Sequence, residues 1–151
     1  MKIKLTQKYL SSVEQTGAAM RRLACNYCAD LGRWLAVPFV VYYRHVCELP
    51  YIPDPPEVET VSRPLYTLNA RYSPRDCDDK SVLLAAWFHA HGEKCRFVAT
   101  STRPDKVLHH VFVQLENGLF VDATYKKNAD FMGFYPFFRK VTYIKALTNF
   151  F

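Results

Sequence analysis

The sequence contains no apolar run long enough to cross a membrane. Its longest such run, residues 34–43, lies between Arg33 and Arg44, whereas a membrane-spanning helix needs about 20 apolar residues. This run is therefore predicted to form a core segment. Residues 1–8 are too polar for a secretory signal peptide. We expect a cytoplasmic protein without membrane insertion, or one that is incorporated into an assembly.

The sequence also lacks a recognisable nucleic-acid-binding motif. The net charge is +6, but the basic pairs at residues 21–22, 126–127 and 139–140 are dispersed along the chain. Dispersed basic residues are typical of a solvated surface, whereas nucleic-acid-binding domains concentrate them on one face. We expect no nucleic-acid partner, and docking to an acidic partner stays open.

Cysteine occurs five times, an odd number that does not fit the disulfide framework of a small secreted protein. Reduced thiols are therefore expected. Cys25 and Cys28 have CxxC spacing, and His45 and Cys47 follow, so a zinc site is one interpretation. Zinc-binding CxxC pairs usually lie at a turn, and no Gly or Pro is near this pair. We interpret the pair as two thiols on one face of a helix, and we expect no metal and no cofactor.

The N-terminal part of the chain is predicted to be helical. Apolar residues at helical spacing indicate a first helix that begins at residue 11 or 12, ends at Asp30 and is closed by Gly32. A second, more buried helix is predicted over residues 34–47, where Pro38 is tolerated only in the first turn.

The remaining segments are predicted to be extended. Residues 1–10 indicate a short extended arm, and the proline-rich residues 51–64 indicate a stiff connection on the surface. Beyond Gly92 the pattern changes to that of strands. These are expected at residues 95–100, 109–115 and 119–123, with a further one within residues 140–147. Most aromatic side chains of residues 131–151 are expected in the core.

Residues 73–92 predict a buried helix that opens with a cysteine, which on its own is more often a packed thiol than a nucleophile. Asp76 is a good N-cap, Asp79 completes a weaker capping box, and Gly92 ends the helix. Cys77 falls in the first turn, where the helix dipole favours the thiolate. Asp78 and Asp79 oppose this effect unless they are paired or point outward.

Two strands flank residues 116–118, and the length of the loop between them decides which histidine can meet Asp122. In a two-residue turn Glu116 pairs with Leu119, which places Asp122 on the face of His109. In a three-residue loop Leu115 pairs with Leu119 instead, and Asp122 then lies diagonally beside His110. Gly118 is the residue that a three-residue loop requires in a left-handed conformation. His110 is favoured, and His109 is the alternative base.

Residues 76–84, Gly92 and residues 96–98, 110–113 and 121–124 together resemble the transglutaminase-like superfamily. The chain looks closest to the bacterial and phage-encoded transglutaminase-like cysteine proteinases. The resemblance covers about residues 65–128 and has its motifs in the right order. It implies a papain-like or transglutaminase-like α+β fold, in which N-terminal helices precede a nucleophile-bearing helix packed on an antiparallel sheet.

The resemblance implies that Cys77 is the nucleophile, His110 the base and Asp122 the orienting acid. The family usually has glycine where Arg75 stands, and a side chain there could crowd the cleft or recognise an acidic substrate. Besides the Cys77 backbone N–H, the second oxyanion donor stays unassigned, with Asn69 and Tyr72 as candidates.

A single domain over residues 1–151 is expected. Its parts are a helical N-terminal part with the proline-rich connection (residues 1–64), a core with the catalytic motifs (residues 65–128) and an aromatic C-terminal part (residues 129–151). The expected activity is acyl transfer on a peptide or protein amide. Hydrolysis is favoured over transglutaminase crosslinking because water needs no acceptor site. The alternative is a non-enzymatic structural or assembly protein, such as a phage virion component, that retains the fold and binds other proteins of that assembly.

Overall fold

A buried helix and a four-stranded antiparallel sheet form the centre of the fold in the computed structural model, which describes residues 2–6, 13–55, 58–69, 75–130 and 140–151. The protein is therefore of mixed α+β class. In chain order the elements are β1 (Lys2–Thr6), α1 (Val13–Asn26), a 3-10 helix (Cys28–Ala36), α2 (Phe39–Glu48), β2 (Val58–Ser62), α3 (Pro64–Asn69), α4 (Cys77–Ala90), β3 (Cys95–Ser101), β4 (His110–Leu115), β5 (Phe120–Val121), a second 3-10 helix (Lys126–Asp130) and β6 (Tyr143–Ala146).

Helix α4 begins and ends as its sequence predicts. The Asp76 side chain accepts a hydrogen bond from the Asp78 N–H at 3.1 Å, and the Asp79 side chain accepts one from the Asp76 N–H at 3.3 Å. Gly92 follows the helix with a φ of 72°, a conformation that glycine adopts at little cost. Residues 82–86 are fully buried. The helix is therefore enclosed between α1, the first 3-10 helix and the sheet, with contacts to each of them.

The sheet has the strand order β5-β4-β3-β6, with every pair antiparallel. The hairpin between β4 and β5 has the three-residue loop, since Val113 pairs with Val121 and the Leu115 N–H donates to the Leu119 carbonyl at 2.8 Å. Gly118 has a φ of 94°, as that loop requires. This register places residue 110 diagonally beside residue 122.

The first helix is shorter than predicted. Helix α1 ends at Asn26, and a 3-10 helix with a kink at Gly32 (φ 53°) takes up the residues beyond it. The prediction of a helix over residues 34–47 is wrong at its start, because Pro38 is the N-cap of α2. Pro38 has an extended ψ of 143°, so the helix can begin only after it.

The proline-rich connection is a strand over part of its length, which corrects the prediction of a surface linker. Strand β2 pairs with β1, the extended arm, in a second, two-stranded antiparallel sheet. Val61 and Ser62 are fully buried, and Ile52 forms a backbone bridge with Arg75. Because β2 packs against α1 and α4 at the edge of its small sheet, the segment is a strand although prolines surround it.

The C-terminal strand is present, but its aromatic side chains are less buried than predicted. Tyr143 in β6 is 40% exposed. Phe151 is partly buried and packs on Phe97, with ring centroids 5.5 Å apart. The aromatic residues at positions 131–139 lie outside the described residues. Among the helices that the structure describes, none is long and apolar enough to span a bilayer.

Candidate active site

Cys77 and His110 meet at one cleft, although they come from different layers of the fold. Cys77 opens α4, and His110 opens β4 on the sheet beneath it. The cleft consists of two adjoining pockets of about 260 and 230 Å³, and Cys77, His109, His110 and Tyr51 line both. The Ser81 hydroxyl donates to the Val111 carbonyl at 3.2 Å, which fixes the helix to the strand one residue beyond the histidine.

His110 and Asp122 form the hydrogen bond that the hairpin register predicts. The two atoms, His110 Nε2 and Asp122 Oδ2, are 2.6 Å apart. Asp122 is 2% exposed. Burial opposes ionisation of this carboxyl, but the hydrogen bond and charge of His110 and the hydrogen bonds from Thr124 outweigh it, so the pKa of Asp122 is lowered. Asp122 is therefore an ionised carboxylate that orients the imidazole through its Nε2.

Three further side chains hold Asp122 in place, and none of them is among the predicted site residues. Thr124 donates to Asp122 Oδ1 from its backbone N–H at 2.9 Å and from its hydroxyl at 2.6 Å. The Tyr43 hydroxyl donates to the Asp122 carbonyl oxygen at 2.7 Å. Lys80 Nζ donates to the Thr124 carbonyl at 2.8 Å. Only Thr124 has a local signal in the sequence, since a carboxylate often accepts from the residue two positions on.

The surroundings of Cys77 do not favour its thiolate. Burial raises the pKa of the Cys77 thiol well above its usual value, and the carboxyls of Asp78 and Asp76 raise it further. The backbone N–H of Val111 acts in the opposite direction. The Cys77 Sγ lies 3.7 Å from Asp78 Oδ1, to which the thiol donates. The sequence predicted two opposing effects on this thiol, and the buried carboxyls beside it raise its pKa as that prediction allowed.

These carboxyls belong to a larger acidic cluster between α4 and the segment around β2. Asp54 lies near enough to Asp76, and Glu59 near enough to Asp78, for each pair of carboxyl groups to interact electrostatically. Burial and the charges of Asp54 and Glu59 raise the pKa of Asp76 to about 7. Burial and its acidic neighbours likewise raise the pKa of Asp78 well above the usual range. Shared protons between carboxyl groups explain how so many acids lie together.

His109, the alternative base, is not in position to be oriented by Asp122. It is exposed, and its Nε2 accepts a hydrogen bond from the Thr102 N–H at 3.0 Å. The two-residue turn that would have brought it to Asp122 is not the one in the structure. His109 lines the cleft as a neighbour of the His110–Asp122 pair.

The structure does not bring Asn69 or Arg75 into the cleft. Asn69 is exposed at the end of α3, and its amide donates to the Leu65 carbonyl at 2.9 Å. Arg75 is 5% exposed, and its Nε donates to the Thr67 carbonyl at 2.7 Å. Buried there, Arg75 cannot recognise an acidic substrate at the cleft mouth. Tyr72 lies outside the described residues.

Two tyrosines that are not among the predicted site residues line the cleft. Tyr51 lies beside Cys77, and its ring centroid is 5.4 Å from that of Tyr125. Tyr125 in turn stacks beside the His110 ring, at 6.5 Å and an interplanar angle of 12°. Tyr51 follows a proline in an extended segment and Tyr125 lies in a loop. Neither position carries a periodic signal that distinguishes it from a surface residue.

The CxxC pair does not lie on one helix as predicted. Cys25 is in the last turn of α1, whereas Cys28 opens the 3-10 helix. Within the described part of the chain, Asp76, Cys77 and Asp78 are the residues that bring three potential metal-ligand atoms within 4.8 Å of one another. Their oxygens already serve the helix cap and the carboxyl contacts, and a structural zinc site usually has four ligands.

Comparisons of the chain with models of protein families, with curated proteins and with solved structures found no match.

Proposed function

We propose that this protein is a cysteine-nucleophile acyl-transfer enzyme that hydrolyses amide bonds of a peptide or protein. Cys77 is the nucleophile, His110 the general base and Asp122 the acid that orients it. The observation that carries the proposal is the 2.6 Å hydrogen bond between His110 and the buried Asp122, in a cleft that Cys77 also lines. An imidazole oriented by a carboxylate beside a thiol is the arrangement that nucleophilic catalysis requires.

The raised pKa of the Cys77 thiol determines how the reaction begins. His110 takes the thiol proton as Sγ attacks the substrate carbonyl, and Asp122 stabilises the resulting imidazolium. His110 then passes this proton to the leaving amine, and a thioester to Cys77 forms. A water molecule, deprotonated by His110, attacks the thioester carbonyl; the C–S bond breaks, the acid is released, and the Cys77 thiolate takes the proton back from His110. These steps need no cofactor.

The developing oxyanion needs hydrogen-bond donors. The Cys77 backbone N–H lies at the start of α4, where N–H groups have no partner within the helix. The Tyr51 hydroxyl is the second donor that we propose, because Tyr51 lines both pockets of the cleft and interacts electrostatically with Cys77. It replaces Asn69, which is exposed at the end of α3, in this role.

The order of the motifs and the fold are compatible with the transglutaminase-like resemblance. A nucleophile-bearing helix lies on an antiparallel sheet, and the histidine and the aspartate come from the two arms of one hairpin. We propose a papain-like arrangement on this basis. Crosslinking by a lysine amine in place of water is the related activity of such a site.

The second candidate function is a non-enzymatic assembly protein that retains the triad, such as a virion component. The observation that favours it is the group of carboxyls around Cys77, which holds the thiol in its unreactive protonated form. In such a protein the His110–Asp122 pair would serve only to connect β4 to the loop after β5.

The two candidates differ in how Cys77 reacts with an activated ester. We expect p-nitrophenyl acetate to give a burst of nitrophenol and an acetyl thioester that mass spectrometry locates on Cys77. His110→Ala should slow acetylation by about 10²- to 10⁴-fold, the usual contribution of general base catalysis. Cys25→Ser, which removes a remote thiol, should leave the burst unchanged. Acetylation that is equally fast in the His110→Ala variant would favour the assembly role.

A further inference from the structure

A second, basic groove lies between α1 and the chain after β6. Arg21, Arg22, Cys25, Asn26 and His89 line one side of it, and residues 146–149 line the other. Its volume is about 760 Å³, and it is open to solvent. Cys25 Sγ and His89 Nδ1 are 3.8 Å apart at its floor, so α1 and α4 meet there.

The two arginines of this groove have no acidic partner among the residues that the structure describes. Arg21 and Arg22 are exposed, and among the described residues neither of them forms an ion pair. No Asp or Glu of the described ranges lines the groove. The Arg21 guanidinium lies 5.3 Å from the centroid of the Phe151 ring, which holds it at the groove wall. The groove therefore presents positive charge, at a fixed position, that no acidic side chain of the described ranges neutralises.

The groove is separate from the cleft that contains Cys77. Val13 and Thr16 of α1 line the cleft, whereas Arg21 and Arg22, further along the same helix, line the groove. Gly17 lies between these two sets, where α1 touches Leu147. A Cβ at Gly17 would come within 2.7 Å of the Leu147 Cβ. Gly17 and Leu147 are therefore in close contact between the two sites.

The shape of the groove fits an extended chain better than a small anion. Along α1 it reaches from Ala18 to Asn26, which is about 12 Å at the helical rise. An extended peptide of about four residues has this length. Strand β6 is at the edge of the sheet order, so its backbone offers groups for pairing. A volume of about 760 Å³ would remain largely unfilled around one phosphate or carboxylate ion.

We propose that this groove binds an extended, acidic peptide segment of a partner protein. Carboxylates of the peptide form ion pairs with Arg21 and Arg22, and the peptide backbone lies along residues 146–149. The net charge of +6 adds a long-range attraction for such a partner. The proposal is independent of the chemistry at Cys77, because the two sites share only Leu147 among the described residues of their walls.

Fluorescence anisotropy with a labelled (Glu-Ser)₃ peptide, and with (Gln-Ser)₃ as its neutral counterpart, tests this proposal. The acidic peptide should bind and the neutral one should not. Arg21→Gln combined with Arg22→Gln should weaken binding on the order of tenfold or more. Arg44→Gln changes the net charge by one at an exposed position of α2 and should have less than about a twofold effect.

The Cys25 thiol gives a second readout inside the groove. Bound (Glu-Ser)₃ should slow the alkylation of Cys25 by iodoacetamide, while Cys28 and Cys77, which lie outside the groove, react at unchanged rates. Arg22→Gln alone should abolish this protection. Because Arg22 is exposed, its replacement keeps the test valid even if the double variant is destabilised.

Three outcomes would overturn the proposal. Arg44→Gln could weaken binding as much as Arg22→Gln, which would show non-specific attraction to a basic protein. Inorganic phosphate could displace the peptide when its concentration only equals that of the peptide's carboxylates. This result would indicate a site for small anions. Finally, the peptide could protect Cys77 and not Cys25, which would place it in the catalytic cleft.

Discussion

The Cys77 thiol is subject to two opposing influences. The N-terminus of α4 and the Val111 N–H favour the thiolate, whereas burial and the carboxyls of Asp78 and Asp76 favour the thiol. Burial and the two carboxyls have the larger effect, so the pKa of the thiol is raised. In the proposed enzyme the nucleophile would therefore form only when His110 removes the proton during attack. An exposed acidic group in place of Asp78 would not raise the pKa of the thiol in this way.

Replacing Asp78 by asparagine should lower the pKa of Cys77, because the substitution removes the carboxyl nearest to the thiol. We expect the pH midpoint of Cys77 alkylation to fall by about one unit. The measurement is the alkylation rate of this cysteine, followed by mass spectrometry between about pH 6 and pH 10. Glu116→Gln, an exposed substitution in the β4–β5 loop, is the control and should leave the midpoint unchanged. An unchanged or higher midpoint in Asp78→Asn would contradict this explanation of the thiol.

Asp76, the N-cap of α4, affects the stability of the protein in two opposite ways. The Asp76 carboxyl caps the helix by accepting from the Asp78 N–H. It also lies among other acids, and its pKa of about 7 shows that ionisation in the folded state is unfavourable. The folded state therefore keeps a proton that the unfolded chain loses near pH 4. Stability from this group is full below about pH 4 and is lost as the pH rises to about 7.

Asp76→Asn should remove this pH dependence, because asparagine caps a helix equally well and carries no charge. We expect the wild-type free energy of unfolding to be lower at about pH 8 than at about pH 5, by on the order of a few kcal/mol, and the difference to shrink in the variant. Urea unfolding at the two pH values measures it. Glu48→Gln, at an exposed position, serves as the matched control. A variant whose stability falls over this pH range as steeply as the wild type would contradict the role of Asp76.

Asp122 contributes to the free energy of unfolding, and this contribution is lost at acidic pH. Its pKa is lowered in the folded state, so the stability that it contributes is present above its unfolded value near 3.9 and is lost as the pH falls through the folded pKa. The contribution of Asp76 falls at higher pH and that of Asp122 at lower pH. Together they give the greatest stability in mildly acidic solution.

The parts of the molecule that the sequence predicted well are those with local signals. The cap at Asp76, the glycine at Gly92 and the loop at Gly118 each fix a backbone conformation within a few residues. The hairpin register then follows from alternation, and with it the contact between His110 and Asp122. The pairing of the histidine with its carboxylate is therefore predictable from the sequence alone.

The parts that could not be predicted depend on contacts between distant segments. Strand β1 pairs with β2, whose residues lie far along the chain, as in the pair Leu5 and Glu59, whereas proline-rich composition alone indicates an unpaired chain. The acidic cluster around Asp78 forms only when the segment around β2 packs against α4. For this reason the helix dipole alone could not predict that the pKa of Cys77 is raised.

At the scale of the whole molecule, the charged side chains differ between the two sites. Acidic side chains are buried beside Cys77 in the cleft, which Lys127 and Lys140 also line, whereas Arg21 and Arg22 line the groove along α1. The sites lie on opposite sides of the contact between Gly17 and Leu147. In the proposed enzyme the groove would hold an acidic segment of a partner while a different part of that partner is cleaved at Cys77.

The most direct test of the central claim is the rate of Cys77 alkylation as a function of pH, measured against the other four cysteines in wild type and His110→Ala. We predict that Cys77 is alkylated faster in wild type than in His110→Ala at each pH, because only the wild type has a base that takes the thiol proton, and that the raised pKa of the thiol keeps both rates low near neutral pH. Equal rates in both proteins over the whole pH range would contradict the proposal that His110 activates this thiol.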